Sequence, residues 1–124
     1  QRQMCIRDSL IVSALVAAFL VWRHLTQISP EQARRFLSEG ALVIDVRSPE
    51  EFQEGHVTGA LNIPLGQVPI EVPKRASRKD QVLLVHCLSG GRSGIAAHQL
   101  KGLGYSRVFN LGSLARARSI VEGR

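Results

Sequence analysis

Two short, uninterrupted apolar runs constrain the fold more than any other feature of this sequence. The first covers residues 41–45, and the second covers residues 81–86 and is the strongest strand signal in the chain. Neither run alternates with polar residues, which is typical of strands that are covered on both faces. Strands of this kind occur in parallel sheets enclosed by helices. We therefore expect both runs to lie inside such a sheet.

Helix signals alternate with these strands. Ser29-Pro30-Glu31 and Ser48-Pro49-Glu50 each combine an N-cap serine, an N1 proline and a first-turn acid. These two helices are predicted to end at Gly40 and near Gly55. Further elements are predicted as a strand over 60–63, a connection with one helical turn over 69–80, a helix over 93–101, a strand over 105–109 and a helix over 113–121. The alternation predicts an α/β fold with a mostly parallel central sheet and helices on both faces.

Composition excludes several classes of function. The chain carries a formal charge of +6, but its basic runs, at residues 74–79 and 116–118, are not interleaved with aromatics. We interpret them as solvated faces and expect no nucleic-acid partner. The two cysteines, Cys5 and Cys87, do not have the paired spacing of a zinc site, and the glycines form no nucleotide-binding motif. The sequence therefore predicts no metal and no cofactor.

The first nine residues do not resemble a natural element. The peptide Met4–Ser9 matches the one that a common transposon adapter used in sequencing libraries would encode. We predict that residues 1–9 are translated adapter, which would carry no functional weight.

Residues 10–24 raise the question of a membrane segment. The thirteen residues from Leu10 to Trp22 are apolar apart from Ser13. A helix of this length rises about 20 Å, short of the roughly 30 Å hydrocarbon core. We predict a truncated transmembrane helix that anchors the domain to a bacterial inner membrane, with a signal-peptide remnant or a buried core helix as alternatives. Nearby arginines favour a cytoplasmic domain, and a periplasmic one is the alternative.

The loop after the second apolar run is the predicted centre of chemistry, because ligands of open α/β sheets bind at the carboxyl ends of strands. It places a cysteine at a strand end and a helix start beyond two glycines, with the sequence Cys87, Leu88, Ser89, Gly90, Gly91, Arg92, Ser93. Successive N–H groups, a helix N-terminus and Arg92 would form an anion cradle. Such surroundings lower a cysteine pKa from about 8.5 into the range of about 3.5–7.5. Cys87 is therefore predicted to be a nucleophile rather than an inert core thiol.

The loop length separates two families with this architecture. Arg92 follows Cys87 by five positions, which gives a Cys-x4-Arg loop. Tyrosine-type and dual-specificity phosphatases use a loop one residue longer. The tighter loop resembles that of the single-domain rhodanese, or thiosulfate sulfurtransferase, family. The phage-shock-type small rhodaneses are the most similar in appearance. The resemblance extends from about Ile28 to Val121 through Asp45-Val46-Arg47, Glu51-Phe52, Gly55-His56-Val57-x-Gly59-Ala60 and Asn62-Ile63-Pro64.

The resemblance implies both a domain and a mechanism. Residues 26–124 would form the rhodanese domain, with Cys87 as the sulfur-accepting catalytic residue. A small anionic, thiosulfate-like donor would bind to Arg92 and to loop N–H groups, through residues Leu88, Ser89, Gly90, Gly91, Arg92 and Ser93. Asp45 and Arg47 would brace the active-site loop. A Cys87 persulfide would then pass its sulfur to cyanide or to an external thiol or protein acceptor.

Two alternatives remain open at this point. A membrane-tethered persulfide carrier or binding module would use the same cysteine without rapid turnover. A phosphatase or arsenate reductase of related fold would use the same cradle for an oxyanion, although the tight loop argues against it.

Overall fold

The central sheet has four strands, all parallel. A computed structural model describes residues 2–123, except for the side chains of residues 2–5, 23, 24 and 26. The strands are β1 Leu42–Asp45, β2 Leu61–Asn62, β3 Leu83–His86 and β4 Val108–Gly112. Their order across the sheet is β2-β1-β3-β4. The two apolar runs form β1 and β3, the inner pair, so the predicted α/β fold with a parallel sheet is confirmed.

Helices alternate with these strands. They are α1 Arg2–Thr26, α2 Pro30–Ser38, α3 Pro49–Glu54, α4 Val68–Arg75, α5 Gly91–Gly102 and α6 Leu114–Glu122, and a single 3-10 turn covers Leu65–Gln67. The predicted serine caps are present at α2 and α3. Ser29 Oγ accepts a hydrogen bond from the Gln32 N–H, and Ser48 forms a reciprocal capping box with Glu51. Such caps satisfy N–H groups that the first helical turn leaves without partners.

The core consists of two apolar clusters, one on each face of the sheet. Leu83 and Val85 of β3 point into the cluster shared with α4 and α5. Leu84, between them, points into the cluster shared with α2 and α6. All three side chains are fully buried, and each contributes about 1.5–3 kcal/mol of hydrophobic stabilisation. This strand therefore holds its last residue, and the loop that follows, against both layers of helices.

Three elements differ from the sequence prediction. The segment predicted to contain one helical turn forms the two turns of α4, because Val68 and Val72 lie four residues apart and are both buried. Helix α5 begins at Gly91, two residues earlier than predicted. Strand β4 begins at Val108 rather than Tyr105, because the Tyr105 side chain is buried and its hydroxyl donates to the Ala76 carbonyl at 2.5 Å.

The predicted transmembrane helix and the membrane anchorage are wrong. Within the part of the chain that the structure describes, no helix is both long and apolar enough to cross a membrane. The apolar run lies in α1, which also carries Arg7 and Asp8. The buried-helix alternative is wrong as well, because residues 6–22 are exposed. The adapter origin of residues 1–9, the signal-peptide alternative and the domain boundaries stay predictions.

The chain that follows α1 lies beside β4. Gln27 forms an isolated parallel bridge with Asn110, and the Ile28 N–H donates to the Asn110 carbonyl at 3.1 Å. Arg116 of α6 donates to the Ile28 carbonyl. These contacts place the Gln27 side chain against Gly90 and Gly112, behind the predicted active-site loop.

Candidate active site

The loop after β3 folds Cys87 into the protein interior. The Cys87 side chain is fully buried. Its backbone N–H donates to the Gly112 carbonyl at 3.2 Å, and the Leu114 N–H donates to the Leu88 carbonyl at 3.2 Å. Gly90 has a φ of +100°, a left-handed conformation that glycine adopts at little cost and that turns the chain into α5. The loop is thus clamped between the end of β3 and the junction of β4 with α6.

Hydrogen-bond donors surround the Cys87 sulfur. The Gly90 N–H donates to Sγ at 3.0 Å, and the Ser93 hydroxyl lies 3.6 Å from it. Burial alone would raise the pKa of the Cys87 thiol. Hydrogen bonds from the Ser93 N–H and hydroxyl, and from the N–H groups of Gly90 and Ser89, outweigh this effect, so the pKa lies below its usual value. The loop therefore favours a thiolate, the form in which cysteine is a nucleophile.

Asn110 supports this arrangement from β4. Its Oδ1 accepts from the Ser93 hydroxyl at 2.7 Å and from the Gly112 N–H at 2.9 Å, and its Nδ2 donates to the Gly90 carbonyl at 3.3 Å. Asn110 is buried, so these bonds also satisfy its own polar atoms. The sequence prediction did not include this residue. The only signal for it in the sequence was a single amide side chain between two apolar residues, Phe109 and Leu111.

Arg92 is paired with a carboxylate. Its Nη1 and Nη2 lie 2.7 and 3.0 Å from Oε1 and Oε2 of Glu51. Hydrogen bonds from Arg92, and then from the Ser48 backbone N–H, lower the pKa of Glu51 from 4.5 to about 2. The predicted anion-binding arginine thus has a resident partner. Glu51 was part of the upstream motif in the sequence but was not predicted as a site residue.

Asp45 and Arg47 form a buried ion pair beneath the site. Arg47 Nη2 lies 2.7 Å from Asp45 Oδ2 and also donates to the Gly55 carbonyl at 2.7 Å. His86 Nε2 lies 3.9 Å from the same carboxylate, and burial lowers the pKa of this histidine. The contacts of Asp45 and Arg47 hold the segment around α3 and reach the loop through His86, the residue before Cys87. The bracing role stays a prediction.

The remaining loop residues lie at different depths. Leu88 and Ser89 are exposed, and Gly91 is half-buried. The structure thus brings the predicted site together as a buried sulfur under an exposed rim, with N–H groups and one ion pair between them. A thiolate in this position can attack an electrophilic atom that enters the loop, and the N–H groups can stabilise negative charge there.

A comparison with known proteins decides the family. The family described as "Rhodanese-like domain" matches residues 29–115, which is more than half of the chain. The chain belongs to the rhodanese-like domain family. The predicted resemblance is therefore confirmed.

Individual relatives of this rhodanese-like domain carry related names. Thiosulfate sulfurtransferase GlpE of Pseudomonas entomophila is 39% identical over 98 residues, which cover 78% of this chain and 88% of that protein. Thiosulfate sulfurtransferase PspE of Escherichia coli is 42% identical over 71 residues, which cover 57% of this chain and 68% of that protein. A solved rhodanese with anions from E. coli is 39% identical, with a TM-score of 0.60, and the match covers 62% of this chain and 91% of that one. The family supports sulfur transfer as the general chemistry of this fold.

Proposed function

We propose that this rhodanese-like domain is a sulfurtransferase that moves sulfane sulfur from a thiosulfate-like donor through a Cys87 persulfide. One observation carries the proposal. The Cys87 sulfur lies at the end of β3 among N–H and hydroxyl donors, and these lower its pKa despite burial. A small anionic donor fits a loop lined by N–H groups, and relatives named thiosulfate sulfurtransferase support this substrate class.

The transfer step needs no general base. The Cys87 thiolate attacks the outer sulfur of thiosulfate, the S–S bond of the donor breaks, and sulfite leaves with the bonding pair. The product is a Cys87 persulfide anion, so the total charge is unchanged. The N–H groups of Ser89, Gly90 and Ser93, which interact with the thiolate, are positioned to stabilise the persulfide anion as well.

The acceptor must come from outside the domain. Cys87 is the only cysteine in residues 6–124, so the domain has no second thiol that could displace the sulfur as an internal disulfide. Cyanide, or the thiolate of another molecule, attacks the outer persulfide sulfur and leaves with it. Cys87 returns to the thiolate. The cycle is therefore of the ping-pong type.

The test is thiosulfate:cyanide sulfurtransferase activity of the full chain, together with mass spectrometry after thiosulfate treatment. We expect thiocyanate production and a mass gain of one sulfur atom, both lost in Cys87→Ser and both retained in the matched control Cys5→Ser. Absence of turnover and of the mass gain in folded wild-type protein would overturn the proposal. Hydrolysis of p-nitrophenyl phosphate without persulfide formation would favour the phosphatase alternative.

A further inference from the structure

We propose that Glu51 tunes the donor-charge preference of the site: its carboxylate weakens the binding of a donor with two negative charges more than the binding of a donor with one. The inference deepens the proposed sulfur transfer and rests on it. It concerns a residue outside the loop, in α3, whose carboxylate meets the arginine beside the nucleophile.

The ion pair is built into the fold rather than formed by two free surface side chains. Glu51 Oε1 accepts from the Ser48 N–H and lies 3.2 Å from the Ser48 hydroxyl, so the α3 capping box fixes the carboxylate. The same oxygen lies 2.7 Å from Arg92 Nη1. Arg92 is therefore held by a carboxylate that is itself held by a helix cap.

The pair is accessible to a donor. The side chains of Arg92 and Glu51 are 37% and 30% exposed. Arg92 belongs to the Cys87 loop: Gly90 and Ser93, on either side of it in the loop, lie 3.0 Å (N) and 3.6 Å (Oγ) from Cys87 Sγ, so the pair and the nucleophile belong to one site. An anion that approaches Cys87 past Arg92 therefore also meets the Glu51 carboxylate, whose oxygens lie 2.7 and 3.0 Å from the guanidinium nitrogens.

The repulsion between Glu51 and a donor grows with the negative charge of the donor, so donor charge affects binding affinity. The repulsion of an incoming anion by Glu51 offsets part of its attraction to Arg92. In a water-like dielectric, one charge at a separation of about 6 Å changes affinity about threefold per unit of donor charge. Removal of the Glu51 charge should therefore strengthen binding of a monoanion about threefold and of a dianion about tenfold.

Glu51→Gln is the informative variant. Glutamine supports a capping box as glutamate does, and its carbonyl can still accept from Ser48 and from Arg92. The substitution thus removes the charge and retains the geometry. Glu50→Gln is the matched control, because it makes the same change of charge at the neighbouring exposed position of α3.

The test compares two donors that both transfer their outer sulfur and release a sulfur oxyanion, but that differ in charge. Thiosulfate is a dianion and releases sulfite, whereas methanethiosulfonate is a monoanion and releases methanesulfinate. Each donates its outer sulfur to the Cys87 thiolate. KM and kcat/KM are measured for both donors at saturating cyanide, using the full chain.

We expect Glu51→Gln to raise kcat/KM for thiosulfate relative to methanethiosulfonate about threefold, mainly through KM, and Glu50→Gln to leave that ratio unchanged. Glu51→Met, of similar length and without charge, should shift the ratio in the same direction. An unchanged ratio in active, folded variants, or equal losses with both donors, would overturn the inference and make Glu51 a structural partner of Arg92. Failure of the wild type to transfer sulfur from either donor would overturn the proposed function first, and this inference with it.

Discussion

The Ser93 hydroxyl has one proton and three acceptors within reach. Oγ lies 2.7 Å from Asn110 Oδ1, 3.1 Å from the Gly90 carbonyl and 3.6 Å from Cys87 Sγ. The contact with Asn110 is the shortest, so the Ser93 hydroxyl donates to Asn110 Oδ1 while the sulfur is neutral. A thiolate is a stronger acceptor and attracts the proton towards the sulfur. Ser93 therefore stabilises the charged nucleophile through a small rotation of its hydroxyl.

Ser93→Ala is expected to raise the pKa of Cys87. The variant removes the hydroxyl donor but retains the backbone N–H of residue 93, so part of the stabilisation of the thiolate remains. The rate of iodoacetamide alkylation measured against pH reports this pKa. At neutral pH the variant should react more slowly, and its rate should reach the wild-type rate at high pH. Ser106→Ala, an exposed serine outside the site, is the control, and an alkylation profile of Ser93→Ala that superimposes on the wild type would contradict this role.

At the scale of elements, the active-site loop contacts a glycine at the end of β4, Gly112, whose carbonyl accepts from the Cys87 N–H. Gly112, at the end of β4, has a φ of +92°, and a Cβ there would lie 2.7 Å from Gln27 Nε2. Gly40, after α2, has a nearly identical φ of +91°, but a Cβ there would meet nothing within 4 Å. An alanine would have the same backbone strain at both positions, but only at position 112 would its Cβ contact another side chain. Alanine variants at the two positions therefore separate the cost of backbone strain from the cost of this contact.

Gly40→Ala is expected to lower the free energy of unfolding by about 1 kcal/mol, the cost of a left-handed alanine. Gly112→Ala should lower it by about 1–2 kcal/mol, because the flexible end of the Gln27 side chain must also move away from the added Cβ. Urea denaturation measures both changes. The double variant Gly112→Ala with Gln27→Ala should recover part of the difference. Equal destabilisation by the two alanine variants would show that moving Gln27 away from residue 112 has no measurable cost, contrary to this prediction.

Local signals in the sequence predicted most elements correctly, and the errors have physical causes. The serine caps and apolar runs carry their own information, so α2, α3, β1 and β3 lie where predicted. The start of β4 does not, because the burial of Tyr105 against Ala76 depends on α4, a distant part of the chain. The site could be predicted only in part for the same reason. The Cys87 loop is continuous in sequence and was predicted, whereas Glu51 and Asn110, which contact it, belong to other elements and are brought to the loop only by the folded sheet.

At the scale of the whole molecule, the ion pair of Glu51 with Arg92 makes the free energy of unfolding depend on pH. The folded-state pKa of Glu51 is about 2, against 4.5 for its ordinary value. A depressed pKa stabilises the fold at pH values above the ordinary one, and this stabilisation is lost as the pH falls from about 4.5 towards about 2. Below this range the carboxyl is protonated in both states and the contribution is absent.

We therefore expect the stability difference between the wild type and Glu51→Gln to be largest above pH 4.5 and to narrow down to about pH 2. Thermal unfolding followed by circular dichroism across this range measures it. Arg92→Gln keeps the carboxylate but removes its main partner, so its difference from the wild type should narrow over the same interval. A difference that stays constant with pH would contradict the assignment of the low pKa to this pair.

The order of contacts along the chain has a consequence for biosynthesis. Cys87 donates its N–H to Gly112, Leu88 accepts from Leu114, and Ser93 is held by Asn110, so the loop is completed by residues that leave the ribosome after it. Synthesis proceeds from the N-terminus at about 5–20 residues per second. For a period during translation the nascent chain therefore carries a cysteine without its cradle. The fold can shield that thiol only after β4 and the start of α6 have emerged.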